Sequence, residues 1–495
     1  MLLRQPVSAS LGDYLDGEFV LPPGPDGEIR CVSPADDDDL IGVYPWALGH
    51  ANEAVAAAQR ALPAWRRRPL GERISMVKAF AEAVRARRDV LAMAIARSIG
   101  KPVWEALTEV DAVVAKIGIT VGAGLDAIAP RSLPSDKAFV RYRPVGVMVV
   151  LGPFNFPAHL PNGHFIPALV TGNTVVFKPS ERAPQVGEIL ALCMHEAGLP
   201  PGVFNVVQGD GRVAQCLVEN AAVHGVCFTG STAVGRRILQ ASAAYPGRMI
   251  ALELGGSNGA IVTADANIQH AAREIAFSAF VTAGQRCTAT SRVFVERAAS
   301  DALVSELLRL TTQLRVGHPG APAVFMGPVI DAASRSRALE AAKALAASHE
   351  AVLAPREIGV DGVTGAYMSP GIFLASKASG VAGEEFFAPL LVVEIVDDDA
   401  AAVAALNATP YGLAAGVFCA SEDRFERLAA ELDVGICNWN RGTVGSSSKL
   451  PFGGVKASGN HRPAGLASTL YCVDAVAQIR WPEPPPPAAL PGFPL

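Results

Sequence analysis

The sequence predicts an α/β protein built on parallel sheets, and two features carry that prediction. From Val145 onward, short apolar segments rich in β-branched residues alternate with helical runs, the order of βαβ units that feed a parallel sheet. Glycine, proline, asparagine and glutamate recur just after those segments, at the carboxyl ends of the inferred strands, where open α/β sheets gather their ligands. At 495 residues the chain exceeds one simple core and has the length of roughly two to four domains.

Residues 1 to about 50 read as irregular or strand-like, with Tyr14–Val20 and Ile29–Val32 on either side of a Pro/Gly turn. Ala51–Trp65 and Leu70–Ile99 carry apolar residues at three- and four-residue spacing, which predicts two long helices. Gly100-Lys101-Pro102 breaks the second, and another helical run covers about 103 to 127. Phe139–Arg143 alternates apolar and charged residues, as an exposed edge strand does. Val145–Leu151 is apolar throughout, as a strand buried on both faces is. Strands at Thr174–Phe177, Phe204–Val207 and Gly225–Thr229 then alternate with helices near 184–197 and 211–220. A second α/β stretch begins near 261, with strands near 292–296 and 390–396 and helices near 300–314, 332–348 and 421–432. Tyr471–Trp481 alternates like a strand, and the proline-rich Pro482–Leu495 reads as an extended or disordered tail.

Half the residues are hydrophobic and 18% are charged, the balance of a well-packed globular protein with large buried sheets. No run reaches the ~18 uninterrupted apolar residues that span a membrane. The N-terminal Met1-Leu2-Leu3-Arg4-Gln5-Pro6 opens no long apolar stretch, so no secretory signal is expected and the cytoplasm is the expected location. A net charge of −5 is mild for this length, and no basic block stands out beyond Arg66-Arg67-Arg68, which argues against a nucleic-acid partner. The eight cysteines are scattered, without a CxxC pair or a His/Cys cluster at ligand spacing. Reduced thiols, no disulfide scaffold and no metal site are therefore expected.

Seven short motifs could carry chemistry, and singly each has a competitive bland alternative. In Ser278–Ala289 a small-residue helical run stops at Gly284, and Gln285, Arg286 and Cys287 precede the β-rich Ser291–Val295. A thiol in such a turn beside an arginine favours the nucleophilic thiolate; the alternative is a small buried hydrophobe. Asn155, in Gly152-Pro153-Phe154-Asn155-Phe156-Pro157, could offer its amide to an oxyanion or merely bond its own turn. Lys178, Ser180 and Glu181 could grip ribose hydroxyls or form an ordinary helix cap. A carboxylate there would also repel a 2′-phosphate, favouring NAD over NADP, with Arg182 moderating the preference.

The run Gly230-Ser231-Thr232-Ala233-Val234-Gly235 follows a strand and opens a helix, whose backbone N–H groups suit a pyrophosphate. Its glycines stand five apart, so it is not the GxGxxG fingerprint, and a structural turn competes. Glu253, before Gly255-Gly256, could be a general base of raised pKa or a paired strand-end carboxylate. Glu384-Glu385-Phe386-Phe387-Ala388-Pro389 could reach a ribose or simply begin a strand, and Pro451–Gly459 could border a pocket.

Taken in chain order, the first six, from Pro153-Phe154-Asn155-Phe156-Pro157 to Glu384-Glu385-Phe386-Phe387-Ala388-Pro389, resemble the motifs of the NAD(P)-dependent aldehyde dehydrogenase superfamily, over nearly the whole chain from about 14 to 480. The resemblance implies that Cys287 adds to an aldehyde carbon, and that Asn155 with the Cys287 N–H holds the oxyanion, a donor whose loss typically costs ~3 kcal/mol. It implies that Glu253 activates the water that hydrolyses the thioester, which argues against transfer of the acyl group to coenzyme A. It places NAD on Lys178, Ser180 and Glu181, on Gly230 to Gly235 and on Glu385 and Phe387. The fold it implies has a Rossmann-type cofactor domain (1–130 and 150–258), an α/β catalytic domain (259–465) and a small β oligomerisation flap (131–149 and 466–482), with residues 483–495 as the tail. The exposed alternation of Phe139–Arg143 suits pairing with a neighbouring subunit, hence a homodimer or homotetramer.

Asn155–His164, Gly435–Asn440 and Ser458–Pro463 look like the N-succinylglutamate 5-semialdehyde dehydrogenases of arginine catabolism, whereas Arg441–Lys449 departs from that pattern. Such a substrate carries several carboxylates, so His159, Arg286, Asn440, His461 and Arg462 are the substrate-contacting residues expected from this resemblance. Oxidation of glutamate or succinate semialdehyde, coenzyme A acylation, and a non-catalytic cofactor-binding homologue are the rival readings.

Overall fold

The computed structural model describes residues 3–133, 137–375, 383–483 and 491–492. Most of the proline-rich tail expected at 483–495 lies outside the described residues.

Two seven-stranded sheets organise the chain. The first runs Met249–Glu253, Gly225–Thr229, Val147–Leu151, Thr174–Lys178, Phe204–Val206, Asp13–Leu15 and Glu18–Val20. Its first five strands are parallel, and the two N-terminal ones close one edge antiparallel. The central strands are buried at every residue, as continuous apolar runs between two helical layers must be. On one face Phe165, Phe177 and Phe204 meet at ring-centroid distances of 5.3–6.5 Å, fixing helix His159–Thr171 against the sheet.

The second sheet runs Glu350–Leu353, Gly371–Ala375, Leu390–Val396, Thr290–Glu296, Asn258–Val262, Ala414–Phe418 and Ile436–Trp439. It is parallel apart from its first pair. Only four residues, 254–257, separate the last strand of the first sheet from the first of the second. The carboxyl ends of one sheet therefore face the amino ends of the other, and the cleft between them holds the site. A third, antiparallel sheet joins Val473–Ile479, Ala138–Pro144 and Arg131–Leu133, so Phe139–Arg143, expected at an edge, lies in the central strand, and its alternation reflects the sheet's half-exposed faces.

Several expected boundaries move. Val147–Leu151 pairs within the first sheet, so the flap assigned to 131–149 ends before Val147, and Asn258 belongs to the second sheet rather than the first. The helix expected over Leu70–Ile99 is two, Leu70–Ala86 and Arg88–Ile99, broken at Arg87. Tyr471 sits in the 3₁₀ segment Leu466–Cys472, and the strand begins only at Val473. Among the described residues no helix is long and apolar enough to cross a membrane.

Candidate active site

The helix before Cys287, Ile268–Phe280, ends four residues earlier than Gly284. Thr282, Ala283 and Gly284 then all adopt left-handed backbone, with φ of 58°, 52° and 69°. That conformation costs L-residues about 1–2 kcal/mol each, most for a β-branched one, so tertiary contacts must hold it. Those contacts form a buried charge network. The Thr282 hydroxyl donates to Glu105 Oε1. Arg286 donates to the same oxygen at 2.8 Å and to Thr282 Oγ1 at 2.7 Å. Lys101 donates to Glu109 at 2.9 Å and to the Asn155 carbonyl at 2.6 Å. Glu109 Oε1 in turn caps helix His159–Thr171, accepting from the N–H groups of Ala158 (3.0 Å) and His159 (3.2 Å).

One network thus positions both Asn155 and Cys287, while Asn258 ties the turn to the second sheet by donating to the carbonyls of Cys287 (2.8 Å) and Ala289 (2.9 Å). Glu105→Ala would leave the half-buried Arg286 and the buried Thr282 hydroxyl without their carboxylate. It is expected to destabilise the protein by about 3–5 kcal/mol, read as a lowered urea midpoint; an unchanged midpoint would remove Glu105 from this role.

Two cavities meet at the thiol. The larger, about 510 Å³, falls within the roughly 300–1,000 Å³ of small-molecule sites. It runs from Lys178, Ser180 and Glu181 past Gly230, Ser231 and Val234 to Glu385 and Phe387. The smaller, about 250 Å³, is lined by Lys116, His159, His164, Arg286 and Gly445 to Ser448. Thr229, Glu253 and Cys287 line both.

The larger cavity fits a dinucleotide. Helix Thr232–Ser242 starts on its wall, with Ser231 Oγ accepting from the Val234 N–H at 3.4 Å. A Cβ on Gly235 would lie 2.7 Å from a Leu254 methyl, so a larger residue there would push that buried leucine aside where the helix packs onto the strand end. Thr232 turns away, its hydroxyl donating to the Ala457 carbonyl at 3.3 Å, and like Ala233 it does not line the cavity. At one end the buried Lys178 ammonium lies 3.8 Å from Glu181, and burial lowers its pKa. At the other, Glu385 accepts from the Gly256 N–H at 3.0 Å, and burial pushes its carboxyl up to about 7. Gly255 is needed for that approach, since a Cβ there would overlap the Glu385 carboxylate.

Burial holds the Glu253 carboxyl well above its usual range, and its Oε2 has no hydrogen-bond partner among the described residues. Cys287 corrects the expectation drawn from Arg286. Burial and the nearby Glu253 and Glu385 push its thiol up to about 12, outweighing the arginine, whose charge is taken up by Glu105. In this state the group is a thiol. Asn155 Nδ2 donates to the Gln285 carbonyl at 3.0 Å, which ties the amide to the same turn.

Among the expected substrate residues, only His159 and Arg286 line the cavity at Cys287. Asn440 does not: its side-chain amide is consumed by the backbone of Cys419, at 3.0 and 3.2 Å. His461 and Arg462 border a separate cavity with Pro246 and Tyr471. Their segment is held against the first sheet because Asn460 bonds the backbone of Ile250 and Leu252, both at 2.8 Å. His164 is buried between Tyr471 OH (2.8 Å) and Thr229 Oγ1 (3.4 Å). Lys101, Glu105, Glu109, Lys116 and Asn258 were not anticipated. The spacing of the first three at i, i+4 and i+8 was a signal that could have revealed them.

Residues 22–476 match the family described as the aldehyde dehydrogenase family. Among similar proteins, the N-succinylglutamate 5-semialdehyde dehydrogenase of Novosphingobium aromaticivorans is 42% identical over 89% of this chain and 94% of its own length. The N-succinylglutamate 5-semialdehyde dehydrogenase 1 of Caulobacter vibrioides is 44% identical over 87% and 92%. Among solved structures, a Thermus 1-pyrroline-5-carboxylate dehydrogenase with bound NAD superposes with a TM-score of 0.88 at 29% identity, covering 94% of this chain and 92% of that one. An NAD-dependent aldehyde dehydrogenase from Sinorhizobium meliloti gives 0.88 at 30%, covering 95% of both. The chain belongs to the aldehyde dehydrogenase family, whose members oxidise aldehydes with a nicotinamide cofactor.

Proposed function

We propose that the protein oxidises N-succinyl-L-glutamate 5-semialdehyde to N-succinyl-L-glutamate, with NAD as the hydride acceptor and Cys287, Glu253 and Asn155 as its catalytic residues. The observation that carries the reading is the shared wall. Cys287 and Glu253 border both the dinucleotide-shaped cavity and the smaller polar one, so both groups can address a carbonyl lying between them.

Cys287 sulfur attacks the aldehyde carbon while its proton leaves to a base, for which the ionised Glu253 is the available carboxylate. The resulting oxyanion is held by the Asn155 amide and the Cys287 N–H. The nicotinamide, when bound, supplies the hydride acceptor. Oxidation leaves an acyl thioester on Cys287. Glu253, having passed its first proton to solvent, then takes a proton from water; hydroxide adds to the thioester carbon, the carboxylic acid departs, and the thiolate regains a proton from Glu253.

The names of the 42–44% identical relatives support the substrate. NAD over NADP is supported by Glu181 on the cavity wall and by Arg182, whose guanidinium is tied to Asp331 at 2.5 Å. A homo-oligomer is supported by the outer edge of strand Val473–Ile479, which has no partner strand among the described residues, and the cytoplasm is the proposed location. Steady-state NADH formation should give the highest kcat/KM with the succinylated semialdehyde, above glutamate and succinate semialdehydes. Equal or better use of either of those would overturn the substrate.

A further inference from the structure

Lys116 is the charge in the smaller cavity that nothing yet explains. It lies on helix Val103–Val121, is 2% exposed and lines the same cavity as Cys287. Its ammonium donates to the Gly465 carbonyl, and among the described residues no ion pair joins it to a carboxylate. The acids around it are committed. Glu109 serves Lys101 and the cap of helix His159–Thr171, Glu105 serves Arg286, and burial disfavours the charged form of Glu253. An isolated ammonium taken out of water is costly unless an anion meets it.

The cavity is shaped around this group. Gly163, inside helix His159–Thr171, also lines it, and the nearest atom to a Cβ built there is Lys116 Cε, at 3.9 Å. Glycine weakens a helix interior, and here the space that a side chain would fill beside the lysine stem stays open. Two further polar atoms on the same walls, Ser446 Oγ and His159 Nδ1, are buried without a hydrogen-bond partner among the described residues. Burial and the Lys116 charge push His159 down to about 4, so it stays neutral and adds no second cation. Arg286, the expected anion receptor, already has its carboxylate.

We infer that Lys116 is the specificity-determining cation of the site: it pairs with a carboxylate of the aldehyde substrate, and the Ser446 hydroxyl is the second donor to that group. The inference rests on the proposed carboxylated substrate and names the side chain that selects it.

The test is the ratio of kcat/KM for N-succinylglutamate 5-semialdehyde to that for its dimethyl ester, which removes both charges and adds two methyl groups, a steric difference that the comparison of variant with wild type cancels. Lys116→Met should lower that ratio roughly 10- to 100-fold, mainly through KM, as the loss of a charge-assisted hydrogen bond requires. Lys116→Arg should restore most of it. A ratio within twofold of wild type in a Lys116→Met protein that still binds NADH by fluorescence titration overturns the inference, as does a wild-type ratio near one.

Should the methionine variant not fold, the wild-type protein decides. Glutarate should slow iodoacetamide alkylation of Cys287 and glutaramide should not; equal protection overturns the inference. If the wild type prefers succinate or glutamate semialdehyde, the proposed substrate fails separately, and the acid-to-ester ratio on the preferred semialdehyde still decides the role of Lys116.

Discussion

Replacing Cys287 by alanine is expected to abolish aldehyde-dependent NADH formation, a loss on the order of 10⁴-fold or more in kcat. No other cysteine lines either cavity, so no neighbouring sulfur can substitute. Burial drives the thiols of Cys31 and Cys193 up to about 12 as well, and both are buried. What distinguishes Cys287 is therefore place rather than acidity, because among the cysteines it alone lines the two cavities. NADH binding, followed by fluorescence titration, should survive the substitution, since the contacts proposed for the dinucleotide lie at Lys178, Glu181, Ser231 and Glu385. An alanine variant that keeps more than about a hundredth of the wild-type rate would take the nucleophile's role away from Cys287.

Glu253→Gln is expected to separate the two halves of the reaction. Glutamine cannot take a proton from water, so the thioester should form and then persist: one equivalent of NADH appears in a burst, and turnover falls by roughly 10²–10⁴-fold, the usual contribution of a general base. Rapid-mixing absorbance and intact-protein mass spectrometry after acid quench would show the burst and the acylated Cys287. Glu253 is also held at raised pKa by burial, which fixes the sign of the pH dependence. The base is the ionised form, so the deacylation rate of the wild-type protein should climb as pH rises through that raised value. The glutamine variant should lose that limb of the profile. A full steady-state rate in the variant, or an unchanged limb, would assign the water-activating step elsewhere.

The fold class was legible because its signal is local. A strand buried on both faces must be apolar throughout, so Val147–Leu151 and Thr174–Lys178 announce themselves in one dimension. So does the helix that opens after Gly230, because its glycines and N-cap serine lie within six residues. Element ends were less legible, because helix termini depend on what packs against them. Nothing in Val281–Gly284 signals a left-handed run, and its energetic support comes from Glu105, nearly 180 positions away.

The substrate residues divide along the same line. Asn440, His461 and Arg462 have side chains suited to carboxylates, but two are carried by a turn that docks on the first sheet and the third is consumed by its own turn. Lys116 gave no local sign, since a lone lysine in an amphipathic helix ordinarily faces solvent. Its helix is buried where it crosses His159–Thr171, which turns that lysine inward.

Chemistry-bearing residue types at strand ends, and the α/β frame that brings them there, can be read along the chain because both follow from periodicity and short-range turn chemistry. The charge state of Cys287 and the pairing of Arg286 cannot. A pKa is set by burial and by every charge within several ångströms, and the neighbours that matter here, Glu105, Glu253 and Glu385, arrive from three separate segments of the chain.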